Sequence, residues 1–183
     1  GDQYAALYSE TITVQLENDF LPFLYPNQYV NFTPDSKASQ LALSLIDEDT
    51  VDVDALQQIY DYVVSNLTYD YEKADTVTTG YLPDVDETLK TGTGICFDYA
   101  ALTTAMLRSC DIPCKLQIGY AGDIKHAWID VYIRSKGWVN QAVSFKGDTW
   151  TLMDPTFDSN SDDKEAIQDY IGDESNYTVQ FTR

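Results

Sequence analysis

The sequence predicts an α+β domain, a helix followed by an antiparallel meander, and three observations carry that expectation. Apolar residues recur at helical spacing over residues 52–67 and again after Gly94. Beyond Asp111-Ile112-Pro113 the period switches to two. Lys136-Gly137 and Lys146-Gly147-Asp148 then fall where hairpin turns belong.

Taken in order, Ile12, Val14 and Leu16 alternate within Thr11 to Glu17, the pattern of a half-buried strand. Pro22, Pro26 and Pro34 break the chain into irregular structure. Ser36 is placed to cap a helix reaching about Ile46, with Leu41 and Leu45 on one face. Asp52 is placed to cap a second, in which Leu56, Ile59, Tyr60, Val63, Val64 and Leu67 share a stripe. From Thr68 to Thr93 a Thr-rich stretch, Gly80, Pro83 and the charged run Asp84 to Glu87 read as a surface loop of a length that is often functional.

A further helix is expected to begin at or near Cys96, striped by Tyr99, Leu102, Thr103, Met106 and Leu107. Leu116, Ile118 and Tyr120 mark one strand. In the next, Ala127, Ile129, Val131 and Ile133 alternate with His126, Trp128, Asp130 and Tyr132, so His126 opens it. More strands are expected around Trp138 to Val143 and Thr149 to Asp154. There is no internal repeat. Residues 1–50 read as an N-terminal extension packing on a core of residues 51–183, the whole being one compact domain.

Composition narrows the function. With 183 residues, 44% apolar and 13% aromatic, the chain can bury a single core. Eleven Lys and Arg against 30 Asp and Glu leave a net charge of -19, which repels nucleic acid. That charge otherwise serves solubility. No apolar run approaches bilayer length and no basic-then-apolar leader opens the chain, so no membrane span is expected. Many Tyr and Asn with few Lys point to an exported bacterial protein, extracellular or on the cell surface, whose signal has been removed.

Of three cysteines, Cys110 and Cys114 lie four apart and either bridge in an oxidising compartment or sit as small buried apolar side chains, the second being preferred. No C-x-x-C and no second histidine supports zinc, and no metal or organic cofactor is expected. Asp158, Asn160 and Asp162 have calcium-loop spacing, but Asp163 stands where glycine belongs and Asp169 where a glutamate closes the loop, so this is a solvated turn. Asn31, Asn66 and Asn176 begin N-x-T triplets, relevant only in a glycosylating pathway.

Cys96 stands apart. It follows Gly94-Ile95 at a helix start, where free N–H groups and the macrodipole favour a thiolate, and its own N–H could hold an oxyanion. The only histidine, His126, and then Asp154 before Pro155, complete a thiol, base and orienting acid in chain order. Singly, each has an ordinary reading: an inert buried thiol, a satisfied histidine, a turn aspartate. Jointly they would have to coincide at a helix start, a strand start and a strand end.

The runs Thr91-Gly92-Thr93-Gly94-Ile95-Cys96-Phe97-Asp98-Tyr99-Ala100, Leu107-Arg108 with Asp111-Ile112-Pro113, His126-Ala127-Trp128 and Asp154-Pro155-Thr156 resemble the transglutaminase-like superfamily core over roughly Val51 to Asp158. Ile171-Gly172-Asp173 and Asn176-Tyr177 look like tails of its bacterial secreted members. The resemblance implies a papain-like core with the nucleophile helix packed on an antiparallel sheet. It implies Cys96 as nucleophile, His126 as base then acid, and Asp154 holding the imidazole tautomer. A thioester on Cys96 would follow, resolved by an amine or by water, with a peptide or protein as substrate. Ile95-Cys96-Phe97 departs from the Gln-Cys-Trp of animal transglutaminases, which places crosslinking in doubt.

Tyr81 is a candidate second oxyanion donor and Trp128 a candidate wall of the site, each with core packing as its alternative. The functional readings are therefore cysteine-dependent acyl transfer, a plain cysteine peptidase or amidase, and a noncatalytic surface module that keeps the fold.

Overall fold

The computed structural model describes residues 8, 10–146, 149–152 and 177–183. A 3-10 turn at Leu21–Phe23 precedes α1 (Lys37–Leu45), α2 (Asp52–Asn66), β1 (Thr68–Tyr69), α3 (Tyr71–Thr76), α4 (Val85–Thr91), β2 (Thr93–Gly94) and α5 (Cys96–Ser109). Then come β3 (Cys114–Ala121), β4 (Ile124–Ile133), β5 (Gly137–Lys146), β6 (Thr149–Leu152) and β7 (Tyr177–Thr182). The last five strands form one antiparallel sheet in the order β6-β5-β4-β3-β7. β1 and β2 make a separate parallel pair. The expected α+β class, with a helix on an antiparallel sheet, is what the chain adopts.

α5 is the axis of the fold. Every residue from Asp98 to Arg108 is buried, as a helix covered on all sides requires. Ala38 and Ala42 of α1, Leu56, Ile59 and Val63 of α2, Val85 of α4, and Leu116, Ala127, Ile129, Val131 and Ile133 of the sheet join it in one core. Val30 and Phe32 belong to the same core, so chain before residue 50 contributes to it. Small residues on α5, Ala100, Ala101, Thr103, Thr104 and Ala105, leave room for these neighbours.

Arg108, 2% exposed, fastens the lower end of α5. Its guanidinium donates to the carbonyls of Cys114 (3.0 and 2.8 Å), Tyr25 (2.7 Å) and Arg183 (2.9 Å), joining four segments. Burial lowers its pKa, and the neighbouring Cys114 works the other way.

Several expectations need correction. Ile12, Val14 and Leu16 are 72, 64 and 48% exposed and form no strand. Alternation makes a strand only where a neighbouring backbone takes up its N–H and C=O groups. Ser36 precedes α1, but its hydroxyl accepts from Thr33 N–H (3.0 Å), and the first N–H groups of α1, on Lys37 (3.1 Å) and Ala38 (3.0 Å), go to the Asp86 carboxylate. Asp52 lies inside α2 after the N-cap Val51, and accepts from Arg134, at 2.9 Å from its backbone N–H and 2.9 Å from Nε.

The expected loop from Thr68 to Thr93 contains α3 and α4, capped by Asp70 to Lys73 N–H (2.8 Å) and by Asp84 to Asp86 N–H (3.1 Å) and Glu87 N–H (3.0 Å). β7 was not anticipated, although Tyr177, Val179 and Phe181 alternate along it. It can close on β3 because position 119 is glycine: a Cβ there would stand 1.9 Å from the Thr178 carbonyl oxygen.

Cys110 and Cys114 are free thiols, as the preferred reading had it. Burial pushes them up to about 11 and about 12. Among the described residues no helix is long and apolar enough to cross a membrane, and no three His, Cys, Asp or Glu side chains cluster as metal ligands would. The Asp158 turn lies outside the described residues, as does Asn176.

Candidate active site

Cys96 is the first residue of α5, after an extended N-cap at Ile95. Asp98, three residues beyond that cap, turns back so that its Oδ2 accepts the Ile95 N–H at 2.8 Å. This return explains Gly94 differently from the sequence reading. A Cβ at position 94 would lie 2.7 Å from the Asp98 Cβ and 3.1 Å from Oδ2, so glycine is needed to seat the aspartate.

The parallel pair adds a residue that sequence reasoning missed. Thr68 aligns with Thr93 and Tyr69 with Gly94, held by Thr68 N–H to Gly92 O (2.8 Å) and Asp70 N–H to Gly94 O (2.9 Å). That register sets half-buried Tyr69 beside the start of α5, with its hydroxyl near the Cys96 backbone. Burial, with the charge of Cys96 adding to it, pushes Tyr69 up to about 12, so it stays a protonated donor at neutral pH. Its ring packs on Tyr71 (4.9 Å) and Tyr99 (6.4 Å). Two-residue parallel strands have no sequence signature, and Tyr69 is one of fourteen tyrosines.

The Cys96 side chain is half-buried. Burial raises its pKa, the N–H groups of Ala127, Phe97 and Cys96 itself oppose that rise, and the charge of Asp98 adds to it. Burial thus works against the thiolate that the helix start favours. N–H groups near the sulfur favour the anion, but loss of water around it outweighs them and raises its pKa.

The contact with Ala127 N–H brings His126 into the neighbourhood, because the His126 Cα is two bonds from that nitrogen. His126 is 8% exposed and is the third residue of β4. Its ring lies nearly parallel to Trp128, 6.1 Å away at 20°. Trp128 is 1% exposed and meets Tyr177 edge-on at 5.2 Å, so it packs beneath the imidazole, the core-packing alternative. Asp154 lies outside the described residues.

The structure places Tyr81 in a different role from the expected one. Its hydroxyl donates to Asp98 Oδ1 and accepts from Lys73 Nζ at 2.7 Å, so its proton is engaged away from any oxyanion. Burial, then the bond to Asp98, pushes Tyr81 up to about 12. Lys73 Nζ also reaches Asp98 Oδ2 at 2.7 Å. Burial works against the Lys73 charge, but its bonds to Asp98 and Tyr81 outweigh that and raise its pKa. A separate cavity of about 340 Å³ between α1 and α4, lined by Lys37, Asp84, Asp86, Glu87, Leu89 and Lys90, contains none of these groups.

Residues 39–155 match the sequence profile of the Transglutaminase-like superfamily. UPF0252 protein MJ1282 of Methanocaldococcus jannaschii is 36% identical over 62 residues, 31% of this chain and 18% of that protein. The crystal structure of a candidate cysteine protease from Cytophaga hutchinsonii superposes with a TM-score of 0.54 at 26% identity, covering 68% of this chain and 41% of that one. The periplasmic domain of TgpA from Pseudomonas aeruginosa gives 0.48 at 19% identity, over 61% of this chain and 43% of that one. The chain thus spans less than half the length of each of these relatives.

Proposed function

Because this chain belongs to the transglutaminase-like superfamily, we propose that it is a cysteine-dependent enzyme acting at amide bonds of peptides or proteins, with Cys96 as nucleophile. One observation carries the reading: the Cys96 sulfur sits at the first residue of α5 against the Ala127 N–H, next along β4 to the only histidine.

With burial raising the Cys96 pKa, the base is proposed to act during attack and not before it. His126 takes the Sγ proton as the sulfur adds to the substrate carbonyl carbon. Negative charge then develops on the carbonyl oxygen, for which the Cys96 N–H and the nearby Tyr69 hydroxyl are the proposed donors. Substrate would turn the Tyr69 hydroxyl proton toward the new anion. Collapse breaks the C–N bond, and the leaving amine takes the proton back from His126, leaving a thioester. Asp154 is proposed to hold the imidazole tautomer.

Water or a second amine then attacks the thioester. Hydrolysis has the likeness to a candidate cysteine protease in its favour. The same reading includes export from a bacterial cell. The test is incubation with a glutamine peptide and a fluorescent primary amine. Amine incorporation identifies transfer, and free acid alone identifies hydrolysis. Cys96→Ala is expected to abolish both while the far-UV spectrum is kept, and turnover surviving that change would overturn the proposal.

A further inference from the structure

We infer that Lys73 is a positioning residue for the nucleophile, pairing the Asp98 carboxylate so that the start of α5 offers the Cys96 sulfur a neutral neighbour instead of a negative one. The inference rests on Cys96 being the nucleophile.

Asp98 is fully buried, and its side chain is committed to three donors: the Ile95 N–H (2.8 Å), Lys73 Nζ (2.7 Å) and the Tyr81 hydroxyl. A carboxylate suits a helix N-terminus, and the N–H to carboxylate bond orders the turn carrying Cys96. The same charge is unfavourable to a second anion two residues away, and its repulsion acts on the Cys96 sulfur.

An asparagine would cap Ile95 without that repulsion, so the carboxylate makes chemical sense here only with a cation beside it. Lys73 supplies the cation from α3. Its side chain is 30% exposed, and Nζ lies 4.4 Å from the Tyr81 ring centroid as well as on the two oxygens. The ammonium is thereby fixed by three contacts. α3 follows β1 directly, so the lysine that pairs with Asp98 and the tyrosine beside the start of α5 arrive on one stretch of chain. Among the described residues, the charged or titratable groups around the sulfur are thus Tyr69 from β1, His126 from β4, and Asp98 with Lys73 and Tyr81.

The measurement is the pH dependence of Cys96 alkylation by iodoacetamide in the full chain, read by mass spectrometry of the Cys96 peptide. Lys73→Met is expected to move the midpoint up by about one unit, a roughly tenfold slower reaction below it. Asp98→Asn should move it down, the double variant should return close to the parent, and Lys73→Arg should hold the parent profile. Shifts of one sign in both single variants, or an unmoved midpoint with a lowered melting temperature, make the pair a structural tie only and overturn the inference.

Should Lys73→Met fail to fold, Asp98→Asn and the double variant decide, because neither buries an unpaired carboxylate. A midpoint higher in the double than in Asp98→Asn supports the inference, and equal midpoints overturn it. Failure of the wider reading looks different: turnover would survive Cys96→Ala, and both proposals would fall together.

Discussion

Tyr69→Phe removes one hydroxyl and keeps the ring that packs on Tyr71 and Tyr99, so the parallel pair and the fold should survive. What disappears is the O–H beside the Cys96 N–H. A single oxyanion donor contributes about 10²–10³ in kcat, or about 2.7–4 kcal/mol. Tyr69 is only half-buried, so the lower end applies, about a hundredfold. The assay compares the burst of p-nitrophenol from an activated ester with alkylation of Cys96 by iodoacetamide. Acylation builds an oxyanion, and displacement at the saturated carbon of iodoacetamide builds none. The expected result is acylation slowed about a hundredfold with alkylation within about twofold of the parent. A parallel fall in both, or undiminished acylation, would refute the assignment of Tyr69.

Other outcomes follow from the packing. Arg108→Met strips the donors from the carbonyls of Tyr25, Cys114 and Arg183 and is expected to cost about 2–4 kcal/mol. For a chain of this size that is a fall in Tm of about 5–15 °C, and a loss below about 1 kcal/mol in urea denaturation would contradict it. Gly119→Ala places a methyl 1.9 Å from the Thr178 carbonyl oxygen, so hydrogen exchange should show β7 unprotected while α5 stays protected; intact β7 protection would disprove the close approach. The bonds from Arg134 hold the Asp52 carboxyl below its ordinary 3.8. The stability it contributes is complete above that value and is lost as pH falls through the lower folded pKa. Asp52→Asn should accordingly flatten the acid limb of the urea midpoint below about pH 3.8, and an unchanged limb would count against the pairing.

What could be read in the residues is what periodicity encodes. α5 begins at Cys96 because an apolar stripe follows a glycine-preceded cysteine, and β3 and β4 follow from alternation on two faces. α3 and α4 escaped because they are short and depend on Asp70 and Asp84 side chains, whose capping shows only once the turn is formed. Ile12, Val14 and Leu16 misled for the opposite reason, carrying a strand pattern with no partner. The role of Tyr81 was misplaced because its hydroxyl is claimed by Asp98, a long-range contact no local pattern reports. Chain order proposed Cys96 and His126, and the fold sets the sulfur one residue from the histidine. Asp154 falls outside the described residues.

The twin rungs Thr68 to Thr93 and Tyr69 to Gly94 uncouple the spacing of Tyr69 and Cys96 from the length of the excursion between them. Residues can be gained or lost around positions 77–80, ahead of Tyr81, without changing how far Tyr69 stands from Cys96. A slip of one rung would instead turn the tyrosine to the opposite side. Descendants of this chain thus have a segment free to be remodelled for new substrates, hinged on two residues that must not move.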